Sequence, residues 1–199
     1  MKPIVMDIES SGLDKVKCGI WQIGAIDLND NEEFLEESRI DDEDFVEEDA
    51  LKVIGKTEEE LRDKNKQSQE KLIMNFFDWI KKRVVKNFLC QNPQFDVAFI
   101  EIKAKKYGLE IPFKYKCFDL HTIAQMTQHK INGRFLFEEG RSKMNLKEIL
   151  EFVGMKDNRQ AHNALEDCKL TAECFSRLMY GKNLFKEYSE FKIPGVFEK

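Results

Sequence analysis

The sequence predicts an α/β chain whose mixed sheet is flanked by helices, and three observations lead there. Short apolar runs with β-branched residues read as strands, longer stretches carry apolar residues at helical spacing, and the two kinds follow one another in a telling order. That order is three strands, helices, a strand, a helix, the strand-like KCFDL, then more helices.

Pro3 to Ile8 is the first strand, apolar enough to be covered on both faces, and GIWQIGAIDL is the second. Residues 33 to 40 form the third, with two short helices around Val46 to Arg62. Leu72, Ile73, Phe76, Phe77 and Ile80 mark one face of an amphipathic helix ending in Lys81, Lys82 and Arg83, which suit its C-terminal dipole. Lys86 to Gln91 is a strand, followed by a helix with Val97, Ile100, Ala104 and Tyr107 on one side and Gly108 at its end. Asn145 caps a helix with Leu146, Ile149, Leu150 and Val153 as its stripe and Gly154 as its stop. The last helix carries Leu165, Cys168, Ala172, Phe175 and Met179 as its buried stripe, with Asp167 off it.

Three separated segments hold the chemistry. Asp7 and Glu9, two apart on a strand, point to the same side. Two carboxylates at the end of an apolar strand are costly unless a positive charge neutralises them. Mg²⁺ or Mn²⁺ suits such an oxygen-only set better than zinc. Asp-x-Glu alone is common, and its ordinary reading is a solvated strand end. Asp96 falls at the start of the helix after Asn92 and Pro93; its ordinary reading is an N-cap. Its functional reading is a carboxylate at a strand-to-helix corner, where open α/β sheets place ligands. His162 sits on an aperiodic segment five residues before Asp167, within reach of a shared site. His121 and His129 read as ordinary surface or core residues. Four carboxylates and one histidine are what two-metal phosphodiester hydrolysis requires.

On these residues the chain resembles the DEDD superfamily of 3′–5′ exonucleases, histidine subclass (DEDDh, DnaQ-like), which includes the proofreading epsilon subunit of bacterial DNA polymerase III. The likeness spans residues 3 to 179 through DIESSGLD, GIWQIGAIDL, VIGKTEEELRD, Asn92-x-x-Phe95-Asp96, FDLHTIAQ, NLKEILEFVGM and His162-x-x-x-x-Asp167. It implies a ribonuclease H-like fold with a mixed five-stranded sheet over residues 1–180 and a C-terminal tail, 181–199, that docks on the domain or binds a partner. It implies two Mg²⁺, replaceable by Mn²⁺, held by Asp7, Glu9, Asp96 and Asp167, with Asp7 bridging and Asp96 acting largely through water. His162 becomes the general base. Ser10, Ser11, Gly12, Leu13 and Asn92 lie close to the 3′ end, with Leu13 packing on the terminal base. Ser10 and Ser11 replace the family's usual two threonines and keep the hydroxyls; Gln91 stands where many relatives have histidine. Residues 130 to 144 look like an inserted loop or hairpin.

Charge and composition fit such an enzyme. The net charge is −5 over 199 residues, yet residues 27 to 63 alone hold 17 acidic and 4 basic side chains. The rest carries 28 basic against 20 acidic residues, enough for a basic groove. The run DDEDFVEEDA reads as a solvated face with a short helix. Five scattered cysteines without CxxC spacing imply reduced thiols in a cytoplasmic protein. MKPIVMD has no secretory character, and no apolar run approaches the ~18 residues of a membrane span. Gly55-Lys56-Thr57 lacks the earlier glycine of a phosphate loop; Phe135 and Phe137 offer rings for base stacking, yet sixteen phenylalanines in one domain read mostly as core.

The expected substrate is a single-stranded nucleic acid with a free 3′ end, with DNA in proofreading or repair as the leading choice and a DNA polymerase subunit as a partner. RNA, as for an oligoribonuclease-like enzyme, is the alternative within the class. A non-catalytic nucleic-acid or polymerase-binding module is the alternative outside it.

Overall fold

The computed structural model describes residues 1–197, so residues 198 and 199 of the tail lie outside the described residues. Five strands form one mixed sheet in the order β3-β2-β1-β4-β5: β1 (Ile4–Ser10), β2 (Ile20–Asp27), β3 (Glu33–Glu37), β4 (Phe88–Cys90) and β5 (Phe118–Asp119). The hairpin-connected β1, β2 and β3 pair antiparallel, and β4 and β5 add in parallel. All eight residues of β2 are buried, its apolar residues together with Gln22 and Asp27.

Alternate residues of β1 feed two cores. Ile4, Met6 and Ile8 pack with α3 (Gln69–Lys81) and α4 (Pro93–Lys106) on one face of the sheet. Val5 joins α5 (Leu120–Asn132), α6 (Leu146–Phe152) and α7 (Ala164–Tyr180) on the other. A smaller cluster of Trp21, Ile40, Ile54 and Leu61 lies under α1 (Glu48–Ile54) and α2 (Glu58–Leu61). Gly55, in the left-handed conformation, closes α1, and Thr57 with Glu60 forms a capping box on α2. This trio is helix punctuation.

Several helices differ from the periodic reading. Helix α7 has no single stripe: Asp167, Thr171, Glu173 and Arg177 are buried along with Cys168 and Ala172, while Met179 is exposed. The sheet, α5, α6 and the tail enclose it from several sides, so burial outruns the apolar pattern. Arg177 and Glu173 pair at 2.8 Å, and they also bond the tail: Arg177 donates to the Tyr188 and Phe191 carbonyls, while Glu173 accepts from the Leu184 and Phe185 amides. Arg83 leaves the α3 terminus to pair with Asp30 and Glu32 at the β2–β3 turn.

The acidic run is also more than a solvated face. Asp44 is buried and ion-paired to the buried Lys103 of α4 at 2.7 Å, with Gln69 donating to its other oxygen. Burial is affordable only because each polar atom finds a partner. Residues 130 to 144 contain a two-stranded hairpin, β6 (Phe137–Glu138) and β7 (Arg141–Ser142). Four cysteines are buried, Cys117 is half-buried, and all five are free. Among the described residues no helix is long and apolar enough to cross a membrane.

Sheet and helix approach closely at Gly24. A Cβ there would stand 2.4–2.6 Å from backbone atoms of Ala164 and Leu165, at the start of α7. Gly24→Ala is expected to push α7 off the sheet and destabilise the protein by about 1–3 kcal/mol, as measured by urea denaturation; an unchanged midpoint would refute this packing account.

Candidate active site

Strand β1 continues its alternation past Val5, so Asp7 and Glu9 face the side on which α7 packs. Glu9 lies inside the strand, which runs two residues further than its apolar stretch. Opposite Asp7 in the antiparallel register stands Gly24, and opposite Glu9 stands Gln22. These two β2 residues set the height and angle of α7. Gly24 admits its backbone, and Gln22 accepts a hydrogen bond from the Ala164 amide at 2.8 Å. Asn163, the N-cap, accepts from the Leu165 and Glu166 amides, so the first turn of α7 is fully bonded before Asp167 points from it into the site.

Asp96 arrives from the other side. Strands β1 and β4 pair in parallel only at Ile4–Phe88 and Val5–Leu89, and the chain then turns into α4. The turn uses Asn92 with φ of 68°, and Pro93 starts the helix. Asp96 is therefore not a cap. It lies in the first turn, and its Oδ1 accepts a hydrogen bond from the Ile8 amide at 3.2 Å, across the gap where the two strands part. The Asn92 amide donates to Asp119, which also caps α5.

Asp7, Glu9, Asp96, His162 and Asp167 line one cleft of about 660 Å³, joined by Ser10, Gly12, Leu13 and Asn92. Glu9, Asp96 and Asp167 are buried, and His162 is half-exposed on its loop. Glu9, Asp167 and His162 each offer one ligand atom, all within 4.8 Å of one another. Ser11 departs from the substrate-side placement. Its side chain is wholly buried; the hydroxyl donates to the Phe45 carbonyl and accepts from the Gly19 amide. The hydroxyl thus ties the loop after β1 to residues 45–47, where Glu47 accepts from the Leu13 amide. Leu13, 73% exposed, stands at the rim of the cleft.

Crowding of carboxylates shows in their proton affinities. Burial, then the neighbouring Asp96 and Asp167 charges, raises Asp7 well above the carboxylate range. Burial and Asp167 push Glu9 up to about 8, and burial pushes Asp96 to about 7. His162 is raised too, chiefly by its hydrogen bond to Asp167, with Nδ1 3.3 Å from Oδ2.

Arg159 is the residue that sequence reasoning missed. It forms a two-pronged pair with Asp157 at 2.7 and 2.9 Å and reaches Asp167 Oδ1 at 2.8 Å. Arg159 and His162 thus neutralise one of the four acids. Asp157-x-Arg159, an acid and a guanidinium two apart in an aperiodic stretch beside His162, was the available signal. Gln22, a lone amide in an apolar strand, was another.

A sequence model of the Exonuclease family matches residues 4–175. The chain belongs to this family. Among relatives of the exonuclease chain, the PolC-type DNA polymerase III of Caldanaerobacter subterraneus subsp. tengcongensis is 28% identical over 181 residues, covering 88% of the chain and 11% of that polymerase. The epsilon subunit of Pasteurella multocida DNA polymerase III is 26% identical over 208 residues, covering 98% and 75%. The chain thus spans only about a tenth of the PolC-type relative. Similar folds include the cell-death related nuclease CRN-4 (TM-score 0.69, 15% identity, 90% of this chain and 64% of that one). The nuclease domain of 3′hExo, a DEDDh member bound to rAMP, gives a TM-score of 0.67 at 17% identity, over 96% and 94%. Escherichia coli exonuclease I with a dT13 oligonucleotide gives 0.66 at 17%, over 87% and 40%. The chain is a DnaQ-like DEDD nuclease with a ribonuclease H-like fold.

Its donor set fits hard divalent cations. Among the described residues Glu9 Oε1 is buried without a hydrogen-bond partner, in a cleft of carboxylates that burial and mutual repulsion hold toward the neutral form. The folded pKa values of Glu9 and Asp96 exceed the unfolded values of about 4. The metal-free fold therefore holds protons that the unfolded chain releases, and stability falls as pH rises from about 4 to about 8. In EDTA the thermal midpoint is expected to be lower at about pH 8 than at about pH 5.5, with Mg²⁺ restoring it at the higher pH and Glu9→Gln flattening the fall. Equal slopes for wild type and Glu9→Gln would contradict this charge assignment.

Proposed function

We propose that this nuclease is a metal-dependent 3′–5′ exonuclease that releases nucleoside 5′-monophosphates from single-stranded DNA, in proofreading or repair. The observation that carries the reading is the convergence of Asp7, Glu9, Asp96 and Asp167, from β1, α4 and α7, around an unpartnered carboxylate oxygen, with His162 at the mouth.

Nucleases of this type generally use divalent cations, which here would number two, Mg²⁺ or Mn²⁺, and would supply charge neutralisation at the scissile phosphate and a more acidic water. Asp7, Glu9, Asp96 and Asp167 hold them. His162 serves as general base: its exposed ring can leave Asp167 and accept a water proton once that carboxylate is otherwise engaged. Leu13 and the Gly12 backbone support the terminal nucleotide at the rim, and Ser10 and Asn92 border it. Residues 1–180 form the catalytic domain and 181–199 a tail. Service to a DNA polymerase subunit agrees with the names of the sequence relatives. RNA is the second reading, favoured by the rAMP-bound structural neighbour.

A time course on 5′-labelled DNA and RNA of one sequence tests this. The wild type should give a ladder shortening from the 3′ end, faster on DNA; EDTA and Asp7→Ala should abolish it while the circular dichroism of Asp7→Ala stays native. A ladder indifferent to EDTA would overturn the metal-dependent reading, and a faster RNA ladder would reassign the substrate. His162→Ala should slow the rate roughly 10²–10⁴-fold; full activity would remove the histidine from the mechanism.

A further inference from the structure

The hairpin inserted between α5 and α6 presents aromatic rings outward. Phe135 is 41% exposed and Phe137 61%, against the expectation that they belong to the core. His129 packs on Phe135 with centroids 4.5 Å apart, and Phe135 meets Phe137 at 6.2 Å, so three rings form a row along the surface. Isolated exposed apolar residues are ordinary, whereas a row of rings on a rigid support is not.

The support is built. Glu139 and Gly140, both with positive φ, make the tight two-residue turn between β6 and β7. Gln125 of α5 grips the hairpin through the Leu136 carbonyl, the Leu136 amide and the Ser142 hydroxyl, and His121 meets the same hydroxyl at 2.7 Å. Charge is complementary to phosphate: residues 129 to 147 hold five basic and two acidic side chains in a protein of net −5. The position is right as well. Asn145 and Lys147 line the cleft, and at about 3.5 Å per residue Ser142 lies within about 10 Å of Asn145.

We propose that this hairpin is a second nucleic-acid subsite, where bases of the single strand upstream of the 3′ end stack on Phe135 and Phe137 while Arg134 and Arg141 meet its phosphates. The inference rests on the nuclease reading and extends it to substrate length. Stacking tolerates every base, so the subsite selects strands that reach the hairpin, whatever their sequence.

The test is fluorescence anisotropy in EDTA with a labelled trinucleotide, as the short comparison, and a dodecanucleotide. Beside it runs hydrolysis of the p-nitrophenyl ester of thymidine 5′-monophosphate in Mg²⁺. Phe135→Ala/Phe137→Ala is expected to weaken dodecanucleotide binding roughly ten- to hundredfold, leaving the trinucleotide and the ester unchanged. Arg134→Ala/Arg141→Ala should lower the salt slope of dodecanucleotide binding by about one. If the wild type cleaves the ester but either variant pair binds the dodecanucleotide normally, the hairpin proposal falls and the nuclease reading stands. A pair that binds normally but loses self-association on gel filtration assigns the rings to a protein interface and likewise overturns the proposal. A wild type that neither cleaves the ester nor binds either oligonucleotide overturns both.

Discussion

Four carboxylates held in one buried cleft are the constraint around which this molecule is arranged. Each acid costs free energy when removed from water, and each raises the cost of ionising the others. Burial and repulsion hold Asp7, Glu9 and Asp96 toward their protonated forms. Arg159 and His162 draw up to Asp167. Glu9 keeps one oxygen without a donor among the described residues. Protonation relieves such a cluster at low pH; once ionised it needs positive charge beside it, which a dication supplies more fully than one guanidinium shared with Asp157. The same electrostatic debt that burdens the fold is what readies the cleft for phosphate chemistry.

The scaffold holds this cluster together by close backbone approach and by polar cross-links. Gly24 removes the side chain that would separate α7 from β2, and Gln22 bonds the first amide of that helix. Asp96 is fastened by the Ile8 amide where β1 and β4 part. On the rim, Ser11 and Glu47 fix the loop that carries Leu13, and Asp44 with Lys103 anchors the acidic segment behind it. Several of these groups are polar and buried, with partners far away in the chain. Gln22, Ser11, Asp44 and Lys103 define positions around the site without entering its chemistry.

Around this centre two further segments pack on the exonuclease fold. The hairpin after α5 adds a rigid aromatic and basic surface next to the cleft. The tail folds back onto α7 through Glu173 and Arg177, two charges that neutralise each other while bonding its backbone. Both segments contact helices of the outer layer, the hairpin α5 and the tail α7.

By itself the sequence determined the element order, the mixed sheet and the five residues of the proposed site. Strand alternation and helical spacing are local properties, and each residue has a local place: Asp7 and Glu9 on one face of an apolar strand, Asp96 at a strand-to-helix corner, His162 on a loop and Asp167 in the first turn of the helix that follows. Tertiary structure alone decided which polar side chains are buried, because burial depends on what other segments cover. Hence Ser11 turned inward, Asp44 found Lys103, and Arg159 reached Asp167, contacts spanning 34, 59 and 8 residues of chain. The breadth of burial on α7 followed from layers packing on several sides, which no single periodicity encodes. Phe135 and Phe137 stayed outside for the converse reason: among the described residues, no segment covers the outer face of the short hairpin that carries them.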